Sequence, residues 1–299
     1  MNKKLIIILV LLSAYSSLFA FAEESENPGA IKGAVEWESF QINAAVSMDL
    51  AANGIRLPAG RTQAETLLKS HYLNLIQGSL LGLQIDSSST LSDLINRREL
   101  SLTDLEALSL RADSVAAALT PDMKKISSSH TISMTQISSV LLKHSRPSAV
   151  TRILNPVSTA NYTGIVIIAT EELPVHGMRS SALAIPCLFP KIWDSEMNLI
   201  YERNMLEIGN TTMVHYSSSQ NIFQRNPSGL TPELQKIAGE RPLRIFARGV
   251  FGIKPTDLII ERSDALLILS SEENRRLLTQ GKVVFVMDDS VLRYEFNGE

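Results

Sequence analysis

Apolar and polar positions alternate along the first ordered stretch of the chain, with Val35, Trp37 and Ser39 and then Ile42, Ala44, Val46 and Met48 on one side. Period two over that length predicts a long strand with one buried face and a bulge near Phe40, ended by the run Ala51 to Pro58. The period then changes. Ala64, Leu68, Tyr72, Leu75, Ile76 and Leu80 recur at helical spacing. They follow Thr62-Gln63-Ala64-Glu65, which has the form of a capping box whose hydroxyl and carboxylate satisfy orphaned amides. Thr90-Leu91-Ser92-Asp93 opens a second helix ending near Arg98, and Thr103-Asp104-Leu105-Glu106 opens a third as another capping box. Residues Ile126 to Lys143 are rich in Ser, Thr, Val and Ile with partial alternation, and Ile137 falls out of phase with Ile132 and Met134. They predict a long strand returning beside the first, so residues 34–143 form a β-α-α-α-β unit.

Residues 144–161 keep no period and carry Pro147 and Pro156, which marks a linker. Beyond it, Gly164 to Ala169 is a continuous apolar run of the kind buried on both faces. The stretches Ala182 to Trp193 and Leu199 to Tyr201 flank the polar Asp194-Ser195-Glu196-Met197-Asn198 as a hairpin. Thr231-Pro232 starts a short helix that Gly239 can end, and Leu243 to Phe251 follows as a strand. Ser263 caps a helix to about Ser270, Ser271 starts its continuation, Gly281 stops it, and Lys282 to Asp288 is a buried strand. The fold class expected is α+β in two domains, the second (162–299) a mixed sheet with helices on one side.

The N-terminus adds an address. Lys3 and Lys4 precede the apolar run Leu5 to Leu12, and Ala20-Phe21-Ala22 offers the small residues a signal peptidase reads. Serines at 13, 16 and 17 interrupt this segment, which falls short of the roughly 20 apolar residues of a membrane span. Residues 1–22 are therefore expected to be a signal peptide and 23–33, polar with Pro28, Gly29 and Gly33, a flexible leader. Cleavage takes two lysines and no acid, which leaves 26 basic against 31 acidic side chains on 277 residues. No cluster of Lys or Arg offers a footprint for nucleic acid, and no cysteine lies near the junction to carry a lipid anchor. The expected location is periplasmic or secreted, without a membrane anchor after cleavage.

Candidate chemistry is sparse. Cys187, the single cysteine, excludes an intramolecular disulfide; His176 and His215 flank it in sequence, but its neighbours Ile185, Pro186, Leu188 and Phe189 make it a small buried hydrophobe. Asp257, Glu261 and Asp264 gather where a loop enters a helix, yet their spacing fits no metal loop and a carboxylate at a helix start has a structural reason. Asp288 and Asp289 end the last buried strand, where open α/β sheets often place site residues. Gly60 and Arg61 precede the first long helix, where an anion could sit at its positive end, although no glycine-rich loop or lysine supports them. The five histidines form no zinc spacing, and no G-x-S-x-G or S-x-x-K is present. No catalytic, cofactor or metal residues are assigned, and the protein is expected not to be an enzyme. An exported enzyme or small-ligand binder with a site in the second domain is the alternative.

Two sets of segments carry a likeness. Trp37-Glu38-Ser39, Gly60-Arg61-Thr62-Gln63-Ala64-Glu65 and Ile85-Asp86-Ser87-Ser88-Ser89-Thr90 resemble the bacterial family of small outer-membrane lipoproteins and the related flagellar assembly protein T. Tyr162-Thr163-Gly164-Ile165-Val166-Ile167, Thr256-Asp257-Leu258-Ile259-Ile260 and Gly281-Lys282-Val283-Val284 resemble a module often found beside that domain. The resemblance implies an exported, non-catalytic envelope protein connected with the flagellar motor; export, mild negative charge and the lack of a catalytic constellation leave binding of an envelope or motility-associated protein, through the first domain, as the expected role. The missing lipobox cysteine departs from the lipoprotein pattern.

Overall fold

The computed structural model describes residues 29–298; the expected signal peptide and the start of the expected leader lie outside the described residues. In chain order the principal elements begin with β1 (Gly29–Glu36), β2 (Gln41–Asp49), α1 (Arg61–Leu81), α2 (Leu91–Asn96), α3 (Leu102–Leu110), β3 (Lys125–Ser133) and α4 (Met134–Leu141). There follow β4 (Ile165–Ala169), β5 (Ile192–Asp194), β6 (Leu199–Tyr201), β7 (His215–Ser218), α5 (Pro232–Ala238), β8 (Leu243–Phe246), β9 (Gly249–Phe251) and β10 (Asp257–Ile260). The last are α6 (Arg262–Leu269), α7 (Glu272–Thr279), β11 (Val283–Met287), α8 (Asp289–Leu292) and β12 (Arg293–Gly298). The protein is α+β with two domains.

The first sheet is antiparallel in the order β12-β1-β2-β3, with short pairings of Asp113–Ser114 and Ala118–Leu119 on β3. This sheet departs from the expected strands at three points. The long first strand is a hairpin: Phe40 takes a positive φ of 56°, and the chain reverses there instead of bulging. Order begins by Gly29, so the leader is shorter than 23–33. The strand expected over 126–143 ends at Ser133, where Met134, Ile137 and Ser138 switch to helical spacing and are buried. The phase change at Ile137 is that switch.

α1 packs Ala64, Leu68, Tyr72, Ile76 and Leu80 against the sheet. Its start differs from the capping box expected at Thr62: Gly60 is the N-cap with no side-chain cap, and Glu65 pairs with Arg61 at 3.0 Å. A Cβ on Gly60 would lie 2.7 Å from Ile55 Cγ2 and 2.9 Å from the Arg56 carbonyl, so this turn closes only around glycine. Thr90 and Asp93 cap α2 reciprocally, whereas α3 is capped by Ser101 and Asp104 and not by Thr103 and Glu106.

The second domain holds two four-stranded sheets. One is parallel in the order β7-β11-β4-β8, and the other is mixed in the order β6-β5-β10-β9. The segment expected as one strand over 243–251 divides into β8 and β9, which enter different sheets. Every residue of β4 and β11 is buried. Val166, Ile168, Val284 and Val286 pack with Leu234 and Ala238 of α5, while Ile165, Ile167 and Phe285 belong to the larger core with Ala265, Ile268 and Leu277 of α6 and α7. Helical residues thus reach cores on both faces, and not on the one side expected. Glu261, not Ser263, is the N-cap of α6; Ser271 caps α7 by accepting from the Asn274 amide.

The two domains are not independent units. β12, at the chain's end, pairs with β1 from Glu36↔Arg293 to Ile31↔Gly298, so the expected unit 162–299 loses its last strand to the first domain. Phe296 is buried over Gly33, where a Cβ would collide with its ring and with the Asn43 carbonyl. Backbone bonds also cross from Leu188 N to Gln84 O (3.1 Å), Phe189 N to Ile85 O (2.8 Å) and Lys254 N to Ser87 O (2.9 Å). The expected linker carries no helix or strand and is pinned near its end: Asn274, itself buried, accepts from Tyr162 N at 3.0 Å and donates to Ala160 O at 2.9 Å.

Candidate functional site

The acidic candidates do not converge. Asp257 opens β10 and is buried, its Oδ1 accepting from Lys191 N and Thr256 Oγ1 (both 3.1 Å) and its Oδ2 from Trp193 Nε1 (3.2 Å). Burial pushes its carboxyl up from the ordinary value, and the three donors offset this only in part. The result is a clamp between β5 and β10. Glu261 and Asp264 lie past the other end of β10. Glu261 Oε2 sits 3.7 Å from Arg248 Nε, and burial raises the Asp264 carboxyl against the opposing charge of Arg248. Asp288 accepts from Ser290 N at 2.9 Å as the N-cap of α8, and the Ser290 hydroxyl bond holds its carboxyl below the ordinary value. Asp289 is exposed in the first turn of α8.

Cys187 is fully buried, and burial pushes its thiol well above the ordinary value. Its backbone is held by Tyr216, whose hydroxyl accepts from Cys187 N at 3.0 Å and donates to Cys187 O at 2.7 Å. His176 is exposed beside Phe251. His215 is half-buried on β7, with its imidazole pKa lowered by burial. No hydrogen bond joins either histidine to the thiol among the described residues. Arg61 is engaged by Glu65. Among the described residues no three His, Cys, Asp or Glu side chains form a group that could hold a metal ion.

Two arrangements bring together residues distant in sequence. Asp194 is buried in the β5–β6 turn and accepts from Glu196 N (3.0 Å), Asn198 N (2.8 Å) and the Arg262 guanidinium. Burial alone would raise its carboxyl, but the bonds from Asn198 and Arg262 bring it below the ordinary value. The Asp194-to-Asn198 spacing carried the turn signal, whereas Arg262 arrives from a distant segment. The second is a cavity of about 370 Å³ between α1, the end of α3 and β3. There His130 stacks on Tyr72 at 3.7 Å and 9°, with its Nε2 2.9 Å from Ser128 Oγ. Burial and then Lys69 push the His130 imidazole pKa down, and burial pushes the Tyr72 hydroxyl up to about 12. Both rings therefore stay neutral near pH 7, and the cavity wall is a stacked aromatic pair.

One row of side chains reaches an open edge. Ile132, Ile42 and Val35 stand opposite one another on β3, β2 and β1 and are buried on the α1 side. The row continues to Tyr294 on β12, which is 62% exposed. Among the described residues no strand pairs with the far side of β12. Beside Tyr294, a largely apolar cavity of about 300 Å³ is lined by Val35, Trp37, Leu83, Ile185, Pro186 and Val291.

Residues 29–140 match the family described as Treponema pallidum Tp0624, N-terminal domain, and residues 164–289 match the one described as its second domain. The chain is similar to Tp0624 over two consecutive domains. The Tp0624 matches leave 141–163 between them and leave β12, which completes the first sheet, beyond the second. Their descriptions name no activity, and they mention neither the small outer-membrane lipoproteins nor flagellar assembly protein T. No curated protein matches the chain. No described helix is long and apolar enough to cross a membrane.

Proposed function

We propose that this is an exported, non-catalytic protein of the bacterial cell envelope, periplasmic after signal cleavage, that acts by binding another envelope protein through its first domain. The observation that carries the reading is the apolar row Ile132–Ile42–Val35–Tyr294, which ends at an unpaired strand edge beside an apolar cavity. An extended segment of a partner can pair with β12 and continue that row with an apolar side chain. The acids and the cysteine singled out in the sequence support the same reading, because Asp257, Asp288 and Cys187 are engaged in holding the fold. A motility-associated partner follows from the family resemblance of the two sets of sequence segments.

Crosslinking in cells from a photoreactive residue at position 294, followed by mass spectrometry, tests the proposal. A defined envelope partner, lost when the reactive residue is moved to the far strand at Lys125, is the expected result. Uniform background labelling from both positions would overturn it, as would turnover of a metabolite that depends on Asp257 or Asp264.

A further inference from the structure

A second cavity, of about 440 Å³, opens where the two domains meet the start of the linker. Its polar lining is almost wholly cationic or hydrogen-bond donating. Arg98 follows α2, Lys143 and His144 follow α4, and Arg203 comes from the second domain. Among the described residues none of the side chains of Arg98, Lys143 and Arg203 makes an ion pair, although the chain as a whole carries more acids than bases. Glu99, the single acid in the lining, contributes its backbone carbonyl to Lys143 Nζ at 2.9 Å. That bond orients the ammonium and leaves two of its hydrogens available.

The other groups are held as well. Arg203 lies with its guanidinium carbon 5.7 Å from the centre of the Phe189 ring, a contact that holds the group near the ring without neutralising its charge. His144 donates from Nε2 to Leu206 O at 2.8 Å, which turns its other ring nitrogen away from that bond. Arg98 has a φ of +61°, a conformation that glycine adopts freely and a side chain adopts at a cost. Lys143 also feels the Asp104 carboxylate, whereas Arg98 and Arg203 have no paired acid among the described residues, and an anion bound among the three supplies the counter-charge. Leu94 and Leu141 supply an apolar wall.

We infer that this interdomain cavity is a binding site for a phosphomonoester, or a closely similar oxyanion, attached to a short apolar body. The anion bridges Arg98 and Lys143 of the first domain to Arg203 of the second, with guanidinium groups suited to paired contacts with its oxygens. The apolar part rests on Leu94 and Leu141. Such a ligand comes either from solution or from the headgroup of an anionic lipid, and the chemistry recognised is the same. Because its contacts come from both domains, binding holds the junction closed. This inference stands apart from the protein-binding edge at β12, which shares none of these residues.

The test is calorimetric titration of the purified protein with orthophosphate, butyl phosphate and vesicles of phosphatidic acid or phosphatidylcholine, together with thermal unfolding. Butyl phosphate is expected to bind saturably and about tenfold more tightly than orthophosphate, as partial burial of its chain predicts. At a hundredfold excess over its Kd it should raise the unfolding temperature by on the order of 5–10 °C. Arg98→Gly and Arg203→Ala should each weaken binding tenfold or more. Arg98→Gly also relieves the positive φ, so it should unfold no earlier than the parent without ligand, which separates loss of binding from loss of fold. Binding of soluble butyl phosphate identifies a free phosphomonoester; binding confined to phosphatidic acid vesicles identifies a lipid headgroup. No binding to any probe, or a response that does not saturate or survives in the Arg98→Gly/Arg203→Ala double variant, overturns the inference.

Discussion

Trp193 donates its indole N–H to the buried carboxylate of Asp257 at 3.2 Å and thereby ties β5 to β10. Burial raises the folded-state pKa of Asp257, so the folded protein holds a proton at a pH where the unfolded chain has released it. The corresponding stability is complete below the ordinary carboxylate range and is lost as pH rises through the raised value. In Asp257→Asn, the amide NH2 must meet either the Trp193 or the Lys191 N–H, donor against donor, at a cost of about 1–2 kcal/mol. That penalty should shrink from acid to neutral pH, because the parent alone then buries a charge. Denaturant unfolding of both proteins across this range checks it; a constant difference would contradict the raised pKa.

Phe296 links the end of the chain to the first sheet. Phe296→Ala should destabilise the protein by about 3 kcal/mol. Removal of residues 293–299 should expose β1 along its length and lower the stability of the first domain more than that of the second. Hydrogen exchange localises the effect. Faster exchange confined to β4 and β11 in the truncated protein would show that the strand supports the second domain instead.

In the linker, Arg152 is exposed and followed by Ile153, whereas Arg146 precedes Pro147. Trypsin should therefore cut first after Arg152, ahead of the stretch pinned by Asn274. The fragments should remain together on a sizing column, because β12 and the common core join them across the cut. Separation without denaturant would mean that the domains adhere only through the linker.

Cys187 should react with a thiol reagent only as the protein unfolds, since it is fully buried with a raised thiol pKa. Labelling measured against denaturant should follow the unfolding transition. Rapid labelling of the native protein would place the sulfur in an open site.

Much of the scaffold was legible where neighbours in sequence are also neighbours in space. The i, i+4 run Ala64, Leu68, Tyr72, Ile76 and Leu80 predicted α1, and the uninterrupted apolar runs predicted β4 and β11. Helix starts were harder, because Ser101-x-x-Asp104 and Thr103-x-x-Glu106 offer the same chemistry in overlapping frames and local packing selects the first. The role of β12 was not legible: six residues with only Tyr294 and Phe296 as a pattern do not reveal pairing with β1. The candidate acids misled for the opposite reason. Asp257 and Glu261 are close in sequence, but a strand separates them in space. The cation-lined cavity draws Arg98, Lys143 and Arg203 from three distant segments, so no motif could announce it.

The pairing of Ile31 with Gly298 also sets an order of events during synthesis. β1 and β2 emerge early and can form their hairpin at once, but the outer edge of β1 has no partner until residues 293–298 have been added. Sheets that depend on such distant pairing close slowly, and an uncovered edge invites association with other chains. A nascent chain, or one truncated before residue 293, therefore displays the β1 edge that β12 covers, and synthesis of β12 moves the open edge of the sheet from β1 to the strand offered to a partner.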